Sequence, residues 1–318
     1  MKGKVDTATA FAPASIGNVA VGFDMLGLAI AGVGDRVIAT RVAGTSLSIA
    51  EVRGLDGEIH PYLSADPEQN TASIAAQALW DARGDGTGLE LKVLKGVPLQ
   101  SGMGSSAASA VAAVVAVNAL LDSPLSTLQL LPYALEGEKF ASAAQHADNV
   151  APSLLGGLVF CPESLYPSMI PVSPVAGVSS VLLHPEMQIN TASSRKKLAR
   201  GYSIDQWLKQ QGLLGGFLLA CERGDVELIR RTLIDLLIEP QRSSSVPCFT
   251  GVKEAAMMAN ALGCSLSGSG PSIFALCASQ EAAKVATAME QACRRFGYEC
   301  QSWISPMNAP GARVESTK

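Results

Sequence analysis

An α+β architecture in two domains is what the sequence predicts, from three observations. A length of 318 residues corresponds to about two domains. Hydrophobic residues make up 48% of the chain and charged residues 16%, too apolar for disorder and ample for a large core. Strand and helix signals are mixed without a steady β-α-β rhythm, which argues against a doubly wound parallel sheet.

Taken in order, β-rich alternation predicts strands over 5–11 and 35–42. Helical periodicity follows over 71–83, then a strand over 89–94 and helices over 105–121 and 125–145. Short apolar runs predict strands over 158–161 and 178–183. Between them, Pro162, Pro167, Pro171 and Pro174 mark the candidate domain junction, dividing the chain into 1–165 and 166–318. Helices are expected over 204–222, 226–237 and 251–262, strands over 264–266 and 272–277, a helix over 280–296 and a strand over 298–304.

One of the two longest runs without a charged side chain, 26 residues, lies between Lys95 and Asp122. A spanning helix needs about 20 mostly apolar residues. Here Gly96, Pro98, Gly102 and Gly104 occupy the start, leaving a shorter helix diluted by alanine and serine, so no membrane span is expected. No apolar signal core follows the first residues, which predicts a cytoplasmic protein. A net charge of −4 without a long basic run disfavours nucleic acid as a partner. Seven scattered cysteines without C-x-x-C spacing read as reduced thiols and not as a zinc site.

The most informative segment is Pro98-Leu99-Gln100-Ser101-Gly102-Met103-Gly104-Ser105-Ser106-Ala107-Ala108, running into the uncharged helix. Small residues let a ligand approach the backbone, and amides at a helix N-terminus make a phosphate site. A Walker A loop needs Gly-Lys-Ser/Thr, and no lysine lies between Lys95 and Lys139. Gly102-x-Gly104-x-x-Ala107 fits a dinucleotide fingerprint formally, but residues 95–101 separate it from the preceding strand. No G-x-S-x-G elbow exists, and three histidines give a serine-hydrolase triad little to build on.

This loop resembles the ATP loop of the GHMP kinases, with Met103 at a position where the family has leucine. Other segments are similar to the homoserine kinase family within that group. They are Pro13-Ala14-Ser15-Ile16-Gly17-Asn18-Val19-Ala20-Val21-Gly22-Phe23-Asp24, Glu138, His146-Ala147-Asp148-Asn149-Val150-Ala151-Pro152, Thr191-x-x-x-Arg195, Glu239-Pro240-x-Arg242 and Leu266-Ser267-Gly268-Ser269-Gly270-Pro271. They run in the family's order over most of the chain.

The resemblance implies a two-domain GHMP kinase fold: an N-terminal domain of ribosomal-protein-S5-domain-2-like fold and a ferredoxin-like C-terminal domain, with the site between. It implies ATP-dependent phosphorylation of the L-homoserine hydroxyl in threonine biosynthesis, with Mg²⁺. Residues 98–108 would hold ATP, and Ser105, Ser106 and Glu138 the metal. Asn18, Asp24, His146, Asn149, Thr191, Arg195, Arg242 and Gly268 would bind homoserine, with Asn18, Asn149 and Glu138 at the reacting centre. Two arginine forks suit its carboxylate, and a carboxylate with an amide suits its ammonium and hydroxyl. A continuous helix would place Glu138 and Asn149 on one face. Mevalonate kinases carry a catalytic aspartate near the position of Asn149; an amide takes no proton, and neighbouring Asp148 is a weaker candidate base. A homodimer is likewise implied only by the resemblance. The alternatives are a kinase for another small alcohol, such as mevalonate, and a non-catalytic ligand sensor on the same fold.

Overall fold

The computed structural model describes residues 5–54, 56–142, 146–199 and 201–318, leaving aside the side chains of Ser142, Thr191 and Ala192. The chain runs β1 (Thr7–Gly17), β2 (Leu26–Val42), β3 (Leu47–Arg53), α1 (Thr71–Arg83), β4 (Gly88–Leu94), α2 (Ser105–Leu120), α3 (Leu131–Ser142), α4 (Val150–Leu155), β5 (Leu158–Phe160) and β6 (Ile170–Val172). It continues through β7 (Val178–Pro185), α5 (Thr191–Lys196), α6 (Ile204–Arg223), α7 (Val226–Thr232), α8 (Glu239–Arg242), α9 (Phe249–Met258), β8 (Gly263–Leu266), β9 (Ile273–Ala278), α10 (Ala282–Arg295), β10 (Cys300–Pro306) and β11 (Arg313–Thr317).

Two sheets result, and the architecture is α+β. The first has the order β11-β1-β2-β4-β3, with β5 and β6 attached beside β2; β3 and β4 pair in parallel. The second is antiparallel, β10-β7-β9-β8. Strands β6 and β11 both follow residue 165, yet both belong to the first sheet. An apolar cluster joins the sheets: Leu26, Leu28 and Ile30 of β2 pack in one core with Leu182 of β7, Phe217 of α6 and Phe274 of β9.

The uncharged helix α2 is buried on nearly every side, Ala107 through Val117 included. A helix apolar all round belongs in a core, and alanines let it pack against its neighbours closely. No helix among the described residues is long and apolar enough to cross a membrane.

Among the departures from the predicted elements, which include β2 starting at Leu26 and α9 ending at Met258, three have a clear local cause or consequence. The helix expected over 125–145 starts at Leu131, because Ser126 and Gln129 form a capping box on a separate 3₁₀ turn. Residues 143–145, its expected end, lie outside the described residues. The helix expected over 226–237 ends at Thr232, since the Asp235 carboxylate takes the N–H groups of Leu237, Ile238 and Glu239 to start α8. The third shift bears on the site. Glu138 lies in α3 and Asn149 just before α4, so no continuous helix puts them on one face.

Candidate active site

The glycine loop departs from β4 and ends at Gly104, whose φ of +68° lies in the left-handed region. It is tied to its surroundings mostly through its backbone. Met103 O accepts from Ser15 N at 3.0 Å, Gln100 O from Ile189 N at 3.1 Å, and Ser101 O from Ser272 N at 3.1 Å. Ser267 Oγ donates to Gly102 O at 2.5 Å. A Cβ on Gly102 would stand 2.5 Å from Ser267 O, so a side chain cannot fit between the loop and the Ser267–Gly270 turn. The opening amides of α2 lack intrahelical acceptors and carry the positive end of its dipole.

Two cavities meet at this loop. The larger, of about 320 Å³, is lined by Gln100, Ser101, Gly102, Gly104, Ser105 and Ser106, with Leu63, Val93, Leu99 and Phe140 as apolar wall and Asn70, Thr71, Lys95 and Asn190 as polar wall. The smaller, of about 80 Å³, is lined by Asn18, Asp24, Glu138, His146, Asp148, Asn149, Arg195, Arg242, Gly268 and Ser269. Gly102 and Gly104 line both. The two serines of the loop diverge. Ser105 Oγ donates back to Val97 O at 3.0 Å, whereas Ser106 Oγ donates to Glu138 Oε2 at 2.7 Å.

The smaller cavity is built on a strained turn. Asn18, Val19, Ala20 and Asp24 all have positive φ without being glycine. The turn is held by cross-links: Asn18 N donates to Asp148 Oδ2 at 3.2 Å, Asn18 Nδ2 to Gly268 O at 3.0 Å, and Asp24 N to Asn18 Oδ1 at 3.1 Å. Gly17 makes room for these partners, as a Cβ there would lie 2.7 Å from Asp148 Oδ2. Asn149 Oδ1 accepts from Ser15 Oγ at 2.9 Å.

Charge is paired across the cavity. Arg195 grips Asp24 with both terminal nitrogens, at 2.9 and 2.6 Å, and His146 Nε2 lies 3.5 Å from the same carboxylate. Arg242 donates to Gly268 O at 2.9 Å. Both guanidiniums lie over the Phe23 ring, at 5.3 Å for Arg195 and 5.2 Å for Arg242. Burial holds His146 below the usual histidine range, with the charge of Asp24 opposing it. Burial, then the nearby charges of Asp24 and Glu138, push Asp148 up to about 7. Burial and Arg195 lower the Arg242 guanidinium.

The structure thus brings together Asn18, Asp24, Glu138, His146, Asn149, Arg195, Arg242 and Gly268 with the loop. Thr191 opens α5, but its side chain lies outside the described residues. Sequence reasoning missed the spacer ring of Phe23. It also missed the buried pair of Lys95 and Asp35 behind the loop, where Ser109 Oγ donates to Asp35 at 2.6 Å and Lys95 Nζ to Ser105 O at 3.0 Å. Phe23 carried a signal, sitting beside Asp24 in a quoted motif; Asp35 and Lys95 are far apart in sequence and carried none.

Comparison with known proteins gives the family. The model of the GHMP kinase N-terminal domain matches residues 70–157, and that of the GHMP kinase C-terminal domain residues 217–295. The chain is 43% identical to a homoserine kinase of Xanthomonas campestris pv. campestris, over 96% of this chain and 94% of that one. It is 40% identical to a homoserine kinase of Chlorobium phaeobacteroides, over 97% and 99%. The crystal structure of a homoserine kinase from Cytophaga hutchinsonii superposes with a TM-score of 0.93 at 38% identity, covering 99% of both chains. A mevalonate kinase of L. major, at 14% identity and a TM-score of 0.70, shares the fold. The chain belongs to the homoserine kinases of the GHMP kinase family.

Proposed function

We propose that the protein transfers the γ-phosphoryl group of ATP to the side-chain hydroxyl of L-homoserine, giving O-phospho-L-homoserine and ADP, a step toward threonine. The observation that carries this reading is the pair of cavities sharing Gly102 and Gly104. A nucleotide in the larger one would lay its phosphates on the loop and the α2 amides, facing an acceptor in the smaller one.

The smaller cavity suits an α-amino acid. The Arg195 guanidinium and Asp24 carboxylate pair with each other. An α-amino acid carries an ammonium and a carboxylate on one carbon, so it can enter that pair with Asp24 on its ammonium and Arg195 and Arg242 on its carboxylate. Mevalonate, without the ammonium, would leave Asp24 facing an anion. Asn18, His146 and Gly268 complete the enclosure, and Asn149 orients the hydroxyl.

Glu138 and the Ser106 hydroxyl fit a magnesium site. One carboxylate and one hydroxyl, 2.7 Å apart beside a phosphate loop, form the sparse oxygen set this ion takes when phosphates supply the rest. Bound there, Mg²⁺ would neutralise charge on the phosphate oxygens. Positioning and charge neutralisation are enough for a loose phosphoryl-transfer transition state. Asn149 takes no proton; in this reading the hydroxyl proton passes to the transferred phosphoryl group, with Asp148 of the same cavity the weaker candidate base. We extend the reading to a cytoplasmic homodimer acting on small molecules, without nucleic-acid or membrane partners.

The test is ADP release across homoserine, threonine, serine, mevalonate and galactose. Homoserine should give the fastest release. A rate with homoserine no higher than without it refutes the function.

A further inference from the structure

The Glu239-Pro240-x-Arg242 string brings Arg242 to the site, with Glu239 three residues before it. Glu239 opens the short helix α8, and its Oε1 accepts from Lys253 Nζ of α9 at 2.5 Å. Its other oxygen, Oε2, is buried without a hydrogen-bond partner, and so is Arg242 Nε. These two are the buried side-chain polar atoms left unpartnered among the described residues. Both residues line the same small cavity, of about 10 Å³, together with Asn18, Asp235 and Ser265.

A buried polar atom is almost always hydrogen-bonded, and a pair of orphans in one place needs a common explanation. A cavity of about 10–15 Å³ holds one water. Guanidinium nitrogen only donates and carboxylate oxygen only accepts, while water does both. We propose that one buried water lies between them, accepting from Arg242 Nε and donating to Glu239 Oε2, and that through it Glu239 is the positioning residue for Arg242. The arginine's direct contacts are a single carbonyl, Gly268 O at 2.9 Å, and the face of Phe23 at 5.2 Å. The carboxylates of Asp24, Asp148 and Asp235 act on its charge but leave Nε without a partner. The water-borne link to Glu239 holds Nε from behind, and aims the guanidinium at the substrate side.

The kinetic part of this inference rests on homoserine being the substrate; the structural part does not. A high-resolution crystal structure of the unliganded parent should show one water peak within hydrogen-bond distance of both atoms. Glu239→Leu should raise the homoserine KM about tenfold with the ATP KM within about twofold of the parent. Glu239→Gln, which keeps an acceptor oxygen, should recover most of that loss; a variant that merely weakened the fold would not separate the two substrates. A dry cavity or a direct Arg242–Glu239 bond overturns the water, and an unchanged homoserine KM in folded Glu239→Leu overturns the positioning role. A parent without homoserine turnover refutes the function instead, and the density still decides the water.

Discussion

Asp148→Asn should change the pH dependence of stability in a direction fixed by burial. In the fold this carboxyl holds its proton to about 7, against an ordinary value of 3.8, because burial and the charges of Asp24 and Glu138 disfavour its ionised form. Between those values the folded chain binds a proton that the unfolded chain has released. Stability from this group is therefore complete below about pH 4 and is lost as pH rises through about 7. A gap of roughly 3 pH units, at about 1.4 kcal/mol each, sets a ceiling near 4 kcal/mol. From pH 5 to 7 the parent should lose about 2–3 kcal/mol that Asp148→Asn keeps. The amide preserves size and still accepts from Asn18 N, so the left-handed turn stays held. Urea unfolding of ligand-free protein at pH 5, 6, 7 and 8 measures both curves. Parallel curves would refute the reasoning.

Glu138→Ala should lower kcat about 100-fold or more at every magnesium concentration, in the ADP-release assay; a near-normal kcat would move the metal site elsewhere. Arg195→Ala removes the fork on Asp24 and should raise the homoserine KM at least about tenfold while sparing the ATP KM, and an effect confined to ATP would misplace the carboxylate clamp. Gly102→Ala places a Cβ against Ser267 O in a backbone of φ +75°. It should cost about 2 kcal/mol or more in urea unfolding and weaken nucleotide binding; a parental titration curve would deny the close approach of loop and turn.

The elements read well from the sequence are those with periodic burial and the uncharged run that forms the buried α2. Helix α1 matches its predicted span, and β4 and α2 match within one residue. Strand β11 escaped notice because it is an exposed edge strand of Arg, Val, Glu, Ser and Thr, with no apolar alternation to read. The site was legible as motifs and not as geometry. Asp24 and Arg195 were both named, yet their pairing over 171 positions depends on how α5 seats beside the first turn. The Glu138–Asn149 face was expected for the wrong reason. A break between two helices, not one helix, brings both to the cavity. Lys95 and Asp35 were invisible because a buried ion pair is defined by tertiary neighbours alone.

The placement of backbone strain argues that the cavity is preformed. Six described residues other than glycine have positive φ, and five of them, Asn18, Val19, Ala20, Asp24 and Gln100, lie in the two loops that build the site. Each costs about 1–3 kcal/mol, and a β-branched residue such as Val19 lies at the upper end. Such a turn persists only where its surroundings over-determine it. Val19 and Val21 are buried in the core shared by both sheets, Gln210 of α6 donates to Val21 O at 3.1 Å, and Asp148 accepts from Asn18 N. The clamps come from both halves of the chain, Asp148 before the second sheet and Gln210 within the part that builds it, so ordering of the turn is inseparable from docking the second sheet against the first. Folding therefore bears the cost of orienting Asn18 and Asp24 before any ligand arrives, and substrate binding energy is left for positioning the hydroxyl against the phosphate loop.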